Sequence, residues 1–120
     1  MTDTLEALAA LSEKHLGLKV CQWSDGRWAV ETPGYIEVLD DPNDALNMAG
    51  CKLLRDAVGK AGWRVQQTHF PGDDGEPDVF RCHIYKSLKD YRTGAGAVDG
   101  CRESEAVIEA VYLWCAGREV

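Results

Sequence analysis

Several things are missing from this 120-residue sequence, and each absence narrows what the chain can do. No apolar run approaches the ~20 residues that a bilayer crossing requires, so no membrane partner is expected. The opening Met1-Thr2-Asp3-Thr4-Leu5-Glu6 has neither a positive nor an apolar segment, so a secretory leader is not expected and a cytoplasmic location is. No Cys-x-x-Cys pair occurs: Cys21, Cys51, Cys82, Cys101 and Cys115 are odd in number and widely spread. Zinc sites usually carry close ligand pairs. The expectation is therefore free, mostly buried thiols in a reducing compartment, with no metal or other cofactor. Repeats, linkers and low-complexity tracts are absent too, and residues 1–120 fit one domain.

Positive charge is scarce. Thirteen Lys and Arg face 20 Asp and Glu, for a net charge of −7. That balance opposes phosphate backbones, whose binding is led by Lys and Arg, so nucleic acid is disfavoured as a partner. The scarcity is uneven. Between Arg27 and Lys52 lie Glu31, Glu37, Asp40, Asp41 and Asp44 with no Lys or Arg, and between Arg64 and Arg81 lie Asp73, Asp74, Glu76 and Asp78, again with neither. If the two segments meet, Glu37, Asp40, Asp41, Asp44, Asp73, Asp74 and Glu76 form an acidic patch able to bind a basic protein surface. Further on the balance inverts. Arg81, Lys86, Lys89, Arg92 and Arg102 outnumber Asp90 and Asp99. Arg81, His83, Tyr85, Lys86, Lys89, Tyr91 and Arg92 make a second candidate surface, for an anionic ligand or nucleic acid.

Hydrophobic residues make up 45% of the chain, enough for a core. Leu5, Leu8, Leu11 and His15 or Leu16 share a helical stripe from Thr2 to Leu16, with Thr2 or Asp3 as cap and Gly17 as stop. Asp25-Gly26 predicts a two-residue type I′ turn between strands 18–24 and 27–32, which sets Trp23 opposite Trp28 and Cys21 opposite Val30. Pro33-Gly34 turns into a strand over 35–39. Asp41-Pro42-Asn43-Asp44 opens a second helix that runs to Ala61 on Leu46, Gly50, Leu53, Leu54, Ala57 and Ala61. Strands follow over 63–70 and 79–85, then a loop from Lys86 to Cys101, then a helix over 102–116 that buries Val107, Ile108, Val111 and Cys115. The reading is an α+β sandwich of order αβββαββα: a mainly antiparallel five-stranded sheet packed with three helices.

No constellation demands catalysis, and an enzyme is not expected. Cys82 and His83 are adjacent in a strand and point to opposite faces, so they make no nucleophile–base pair. His83 is expected to face outward, and His69, sharing parity with Trp63 and Val65, inward. The acidic loop from Asp73 to Asp78 puts Gly75 and Pro77 where a calcium loop needs ligands. Gly94-Ala95-Gly96-Ala97-Val98-Asp99-Gly100 lacks the spacing of a dinucleotide fingerprint. The αβββα order of the first half resembles double-stranded RNA-binding domains. Those domains present lysines at the start of the second helix, where this sequence has Asp40, Asp41 and Asp44.

Two stretches resemble the phage ABA-sandwich domain proteins. One is Asp40-Asp41-Pro42-Asn43-Asp44-Ala45-Leu46-Asn47-Met48-Ala49 with the later Gly62-Trp63-Arg64-Val65. The other is the final helix, Glu103-Ser104-Glu105-Ala106-Val107-Ile108-Glu109-Ala110-Val111-Tyr112-Leu113. The resemblance covers most of residues 35–116. It implies helices on both sides of the sheet and a phage or prophage origin. It also implies a host bacterial cytoplasm as the setting and a host protein or complex as partner, with inhibition of a defence complex such as a CRISPR effector as the leading expectation. The family carries no catalytic residues to transfer.

Overall fold

A computed structural model describes residues 2–40 and 48–119. Among these the order is α1 (Thr2–Leu16), β1 (Lys19–Gln22), β2 (Trp28–Thr32), β3 (Tyr35–Asp40), α2 (Met48–Lys60), β4 (Arg64–Phe70), β5 (Val79–Tyr85), α3 (Leu88–Thr93), β6 (Ala97–Gly100) and α4 (Glu103–Gly117). The class is α+β, as expected. The single five-stranded sheet is not found. The described strands form two antiparallel three-stranded sheets, β1-β2-β3 and β4-β5-β6. Period-two patterning tells which face of a strand is buried and leaves open which edges pair. Here α2 packs against β2, β3 and β4, so the two sheets share a helix and not a hydrogen-bonded edge.

The first helix lies where its stripe places it. Leu5 and Leu8 are fully buried against α4 and β1, and Asp3 sits in the first turn, where a carboxylate suits the helix dipole. Ser12 is also buried. Its hydroxyl donates to Ala9 O (3.3 Å) and accepts from Val20 N (3.2 Å), which fastens α1 to β1.

In the first hairpin the expected register is off by one residue. Gln22 opposes Trp28, Cys21 opposes Ala29 and Val20 opposes Val30. Trp23 N bonds Arg27 O (2.7 Å) and Gly26 N bonds Trp23 O (3.0 Å), with positive φ at Gly26 and not at Asp25. That is a three-residue loop ending in a left-handed glycine, not a type I′ turn. Trp28 goes into the core, while Trp23 stays half-buried under the Arg27 guanidinium.

The expected start of α2, with Asp41 as cap, Pro42, Asp44 and the stripe member Leu46, lies outside the described residues. From Met48 onward the buried face is Gly50, Cys51, Leu54 and Val58: Gly50 and Leu54 are buried as expected, Cys51 and Val58 join them, Leu53 and Ala57 are half-buried and Ala61 is exposed. Gly50 marks the closest approach to the sheet. A Cβ there would lie 2.8 Å from Val38 O and 3.1 Å from Leu39 Cα, so β3 touches the helix backbone directly. Gly50→Ala is expected to cost about 1–3 kcal/mol through overpacking, read as a lower urea midpoint with an unchanged m-value.

α4 touches α1, α2, β5 and β6, and it buries Val107, Ile108, Val111 and Cys115 as expected, together with Ala106, Ala110 and Trp114. One core cluster draws on both sheets and on α1, α2 and α4.

The segment expected to be a loop contains α3 and β6. Ser87 Oγ accepts from Asp90 N (3.2 Å) to cap α3, and Gly94 ends it in the left-handed region. The strand Ala97–Gly100 is four residues long, too short to show alternation, and it exists because β5 offers it an edge.

Candidate interaction surfaces

The acidic segments are placed by α2 and its neighbours. Trp63 N bonds Val58 O (3.4 Å), and Arg55 Nη1 donates to Gln67 Oε1 further along, so β4 runs back antiparallel to α2. The loop after Phe70 therefore emerges on the N-terminal side of α2. The end of β3 lies on that side too, because Val38 and Leu39 rest on Gly50 near the helix start. The backbone of Asp40 thus points toward the same end of the molecule as the loop. Its side chain, and all of Asp41 and Asp44, lie outside the described residues. Glu37 accepts from the Tyr35 hydroxyl, which holds the phenol pKa above its ordinary value. Among the described residues no hydrogen bond or ion pair joins Glu37 to the loop.

The loop itself is ordered by its own chemistry. Glu76 N bonds Asp73 O (2.8 Å), and both Asp74 (φ 38°) and Gly75 (φ 86°) have positive φ, the pattern of a type I′ turn. Asp78 closes the base: Oδ1 accepts from Gly72 N (2.8 Å), and Oδ2 lies 2.8 Å from His69 Nε2. A Cβ on Gly72 would come within 2.0 Å of Glu76 O, so the loop is folded tightly on itself. Asp73, Asp74 and Glu76 project from it, exposed and without an ion pair among the described residues.

The Gly72 amide and the His69 ring hold the Asp78 carboxyl below its ordinary value of 3.8. A lowered folded pKa means that the native state binds the proton less readily than the unfolded chain. The loop contact is therefore intact at neutral pH and is lost as pH falls below about 3.8. The Gly72 amide shift, followed by NMR, is expected to titrate with a midpoint under that value, and Asp78→Ala to abolish the titration.

The second surface centres on β5 and α3. Arg81, His83 and Tyr85 share a face, as alternation requires, but His83 does not look into solvent. It is 6% exposed, because α3 folds over it. The rings of His83 and Tyr91 stack at 5.3 Å and 14°, and Tyr85 leans on both at 5.0 and 4.9 Å. His83 Nε2 lies 2.8 Å from Ala95 O, and since a carbonyl only accepts, Nε2 carries the proton. Arg81 is claimed by Asp99 through two bonds of 2.7 and 3.1 Å, which neutralises it. A concavity of about 540 Å³ brings Arg81, His83, Tyr91 and Arg92 together with Gln66 and Thr68 of β4. Lys86 leaves this group and sits 5.6 Å from the Trp63 ring centre. Lys89 is exposed and lines no part of the concavity. Gln66, Thr68 and Asp99 were invisible as site members, since their position depends on strand pairing.

His69 lies on the face of its cross-strand neighbour Phe80, on which it stacks at 4.5 Å, yet its side chain is half exposed and not buried as expected.

Cys51, Cys82 and Cys115 are buried, and burial pushes their thiols up to about 12, 12 and 11, so none is a thiolate nucleophile at neutral pH. Cys101 is exposed. Iodoacetamide at pH 8 is expected to label Cys101 in minutes, while the three buried thiols react only after denaturant is added, read by peptide mass spectrometry. Among the described residues no cluster of three or more His, Cys, Asp or Glu could hold a metal ion, and no helix is long and apolar enough to cross a membrane.

Comparison of the chain with protein-family models, with curated proteins and with solved structures finds no match.

Proposed function

We propose that this chain is a protein-binding module whose acidic end docks on a basic surface of another protein. The observation that carries the reading is the loop Asp73–Glu76. It is locked at its base by Asp78 and Gly72, and it displays three exposed carboxylates with no internal counter-ion among the described residues. Among the described residues the acids that make ion pairs, Asp25, Asp78, Asp99 and Glu119, are elsewhere or serve the loop base. A fixed array of negative charge steers association with a basic groove and loses little entropy on docking. It imitates the charge of a nucleic acid, so the favoured partners are nucleic-acid-handling complexes.

With the resemblance to phage ABA-sandwich proteins, the reading becomes a phage or prophage accessory protein. It would act in the bacterial cytoplasm on a host defence complex, as an anti-CRISPR protein does, and would need no catalytic residue. The experiment is capture of purified RNA-guided effector complexes by the immobilised chain, with heparin as competitor. Capture abolished by heparin and by raised salt supports the reading. Capture indifferent to both, or none at low salt, removes it.

A second reading rests on the concavity at Arg81, His83, Tyr91 and Arg92, where Arg92 has no ion pair among the described residues and an anionic ligand has polar walls to meet. Salt-sensitive binding of labelled RNA or DNA, weakened by Arg92→Ala, supports it. Absence of binding at low salt eliminates it.

A further inference from the structure

On the α4 side of the second sheet lies a different cavity, of about 520 Å³, within the usual range for small-molecule sites. Its walls are mostly apolar: Trp63, Ile84, Val98, Ala110, Leu113 and Trp114. Trp63 and Trp114 meet edge to face at 6.1 Å, so two indoles build one corner. Leu113 lines it while 49% exposed, which leaves apolar surface uncovered on a helix that is otherwise well packed.

Three further observations restrict the occupant. Arg118 lines the cavity, its guanidinium is held 4.6 Å from the centre of the Trp114 ring, and it makes no ion pair among the described residues. The Lys86 ammonium, 5.6 Å from the Trp63 ring centre, adds a second positive charge beside the indole corner. Asp90 also lines the cavity and sets a negative point against them.

We propose that this cavity binds a small aromatic carboxylate, its ring on the Trp63 and Trp114 walls and its carboxylate on Arg118. A flat aromatic body suits indole walls, which favour edge and offset ring contacts. A carboxylate matches the planar guanidinium fork of Arg118. A neutral body leaves Arg118 unanswered, and an amine opposes both Arg118 and Lys86. The site is independent of the acidic loop, so it stands or falls separately from the proposed docking function.

The test uses the full chain, with 2-naphthoate as probe and 2-naphthalenemethanol as its uncharged counterpart, by titration calorimetry and amide NMR. The carboxylate is expected to bind saturably with a dissociation constant at or below about 1 mM, shifting the amides of Val98 and Gly117, and the alcohol at least about tenfold more weakly. Arg118→Gln, an exposed change that leaves the core alone, is expected to weaken the carboxylate about tenfold and leave the alcohol unchanged. Asp90→Asn is expected to tighten the carboxylate. No saturable shift, equal affinity for acid and alcohol, or an Arg118→Gln variant that binds the acid normally would each overturn the assignment.

Discussion

Gly96→Ala is expected to destabilise the protein by roughly 3 kcal/mol or more. Two independent penalties add at this position. Its φ of +82° lies in the left-handed region, which costs an L-residue ~1–2 kcal/mol. A Cβ would also come 2.2 Å from Ile84 O, and a backbone carbonyl cannot swing aside as a side chain can. Forced overpacking of that kind costs ~1–3 kcal/mol. Against a total stability of ~5–15 kcal/mol the sum is a large share.

The contact at stake is the one by which Gly96 O accepts from Ile84 N (3.2 Å) and so starts the pairing of β6 with β5. Gly94→Ala is the control. It shares the positive φ, at 75°, but its Cβ would enter open space, so only the backbone penalty of ~1–2 kcal/mol is expected. Urea unfolding of both variants separates strain from collision. Equal losses in the two would show that Ile84 O yields.

Reversing the acidic loop with Asp73→Lys, Asp74→Lys and Glu76→Lys together is expected to lower affinity for a basic partner about 100-fold, close to 2.8 kcal/mol. Three side chains going from −1 to +1 change the local charge by six units, and most of the loss should appear in the association rate at low salt. Stability should move by less than about 0.5 kcal/mol, because the three side chains are exposed and unpaired among the described residues. That separation matters: a variant that binds poorly because it has unfolded says nothing about docking. Gly72→Ala supplies the complementary case. It keeps every charge but collides with Glu76 O, so weaker binding there would show that loop shape counts as well as loop charge. Unchanged affinity in the reversed variant, measured by surface-bound kinetics across a salt series, would remove the acidic loop from the docking face.

The type I′ turn illustrates how far local signals reach. Asp25-Gly26 and Asp74-Gly75 are the same dipeptide between strands, and only the second adopts positive φ at both residues. At the first, the flanking strands pair through Trp23 and Arg27, which leaves three residues to close the loop and needs a single left-handed glycine. The dipeptide permits either geometry, and the strand register selects one. His83 shows the same limit on the site. Alternation correctly set it opposite Cys82, but its burial comes from Tyr91 and Ala95, eight and twelve residues further on, carried there by a helix of six residues.

What the sequence determined by itself is whatever depends on residues a few positions apart. The span of α1 follows from its leucine stripe and Gly17, the span of β5 and the shared side of Arg81, His83 and Tyr85 from its alternation, and the buried side of α4 from Val107, Ile108, Val111 and Cys115. The uneven distribution of charge and the lack of paired cysteines are equally plain in the linear chain. Tertiary structure decided the rest: two sheets where one was expected, α2 set with Gly50 against β3, His83 covered, and Arg81 neutralised by Asp99. Each of these depends on which strand edge or helix face finds which partner across many residues of chain. That choice is made by the fit of the whole core, through close contacts such as Gly50 on Val38, and no local period encodes it.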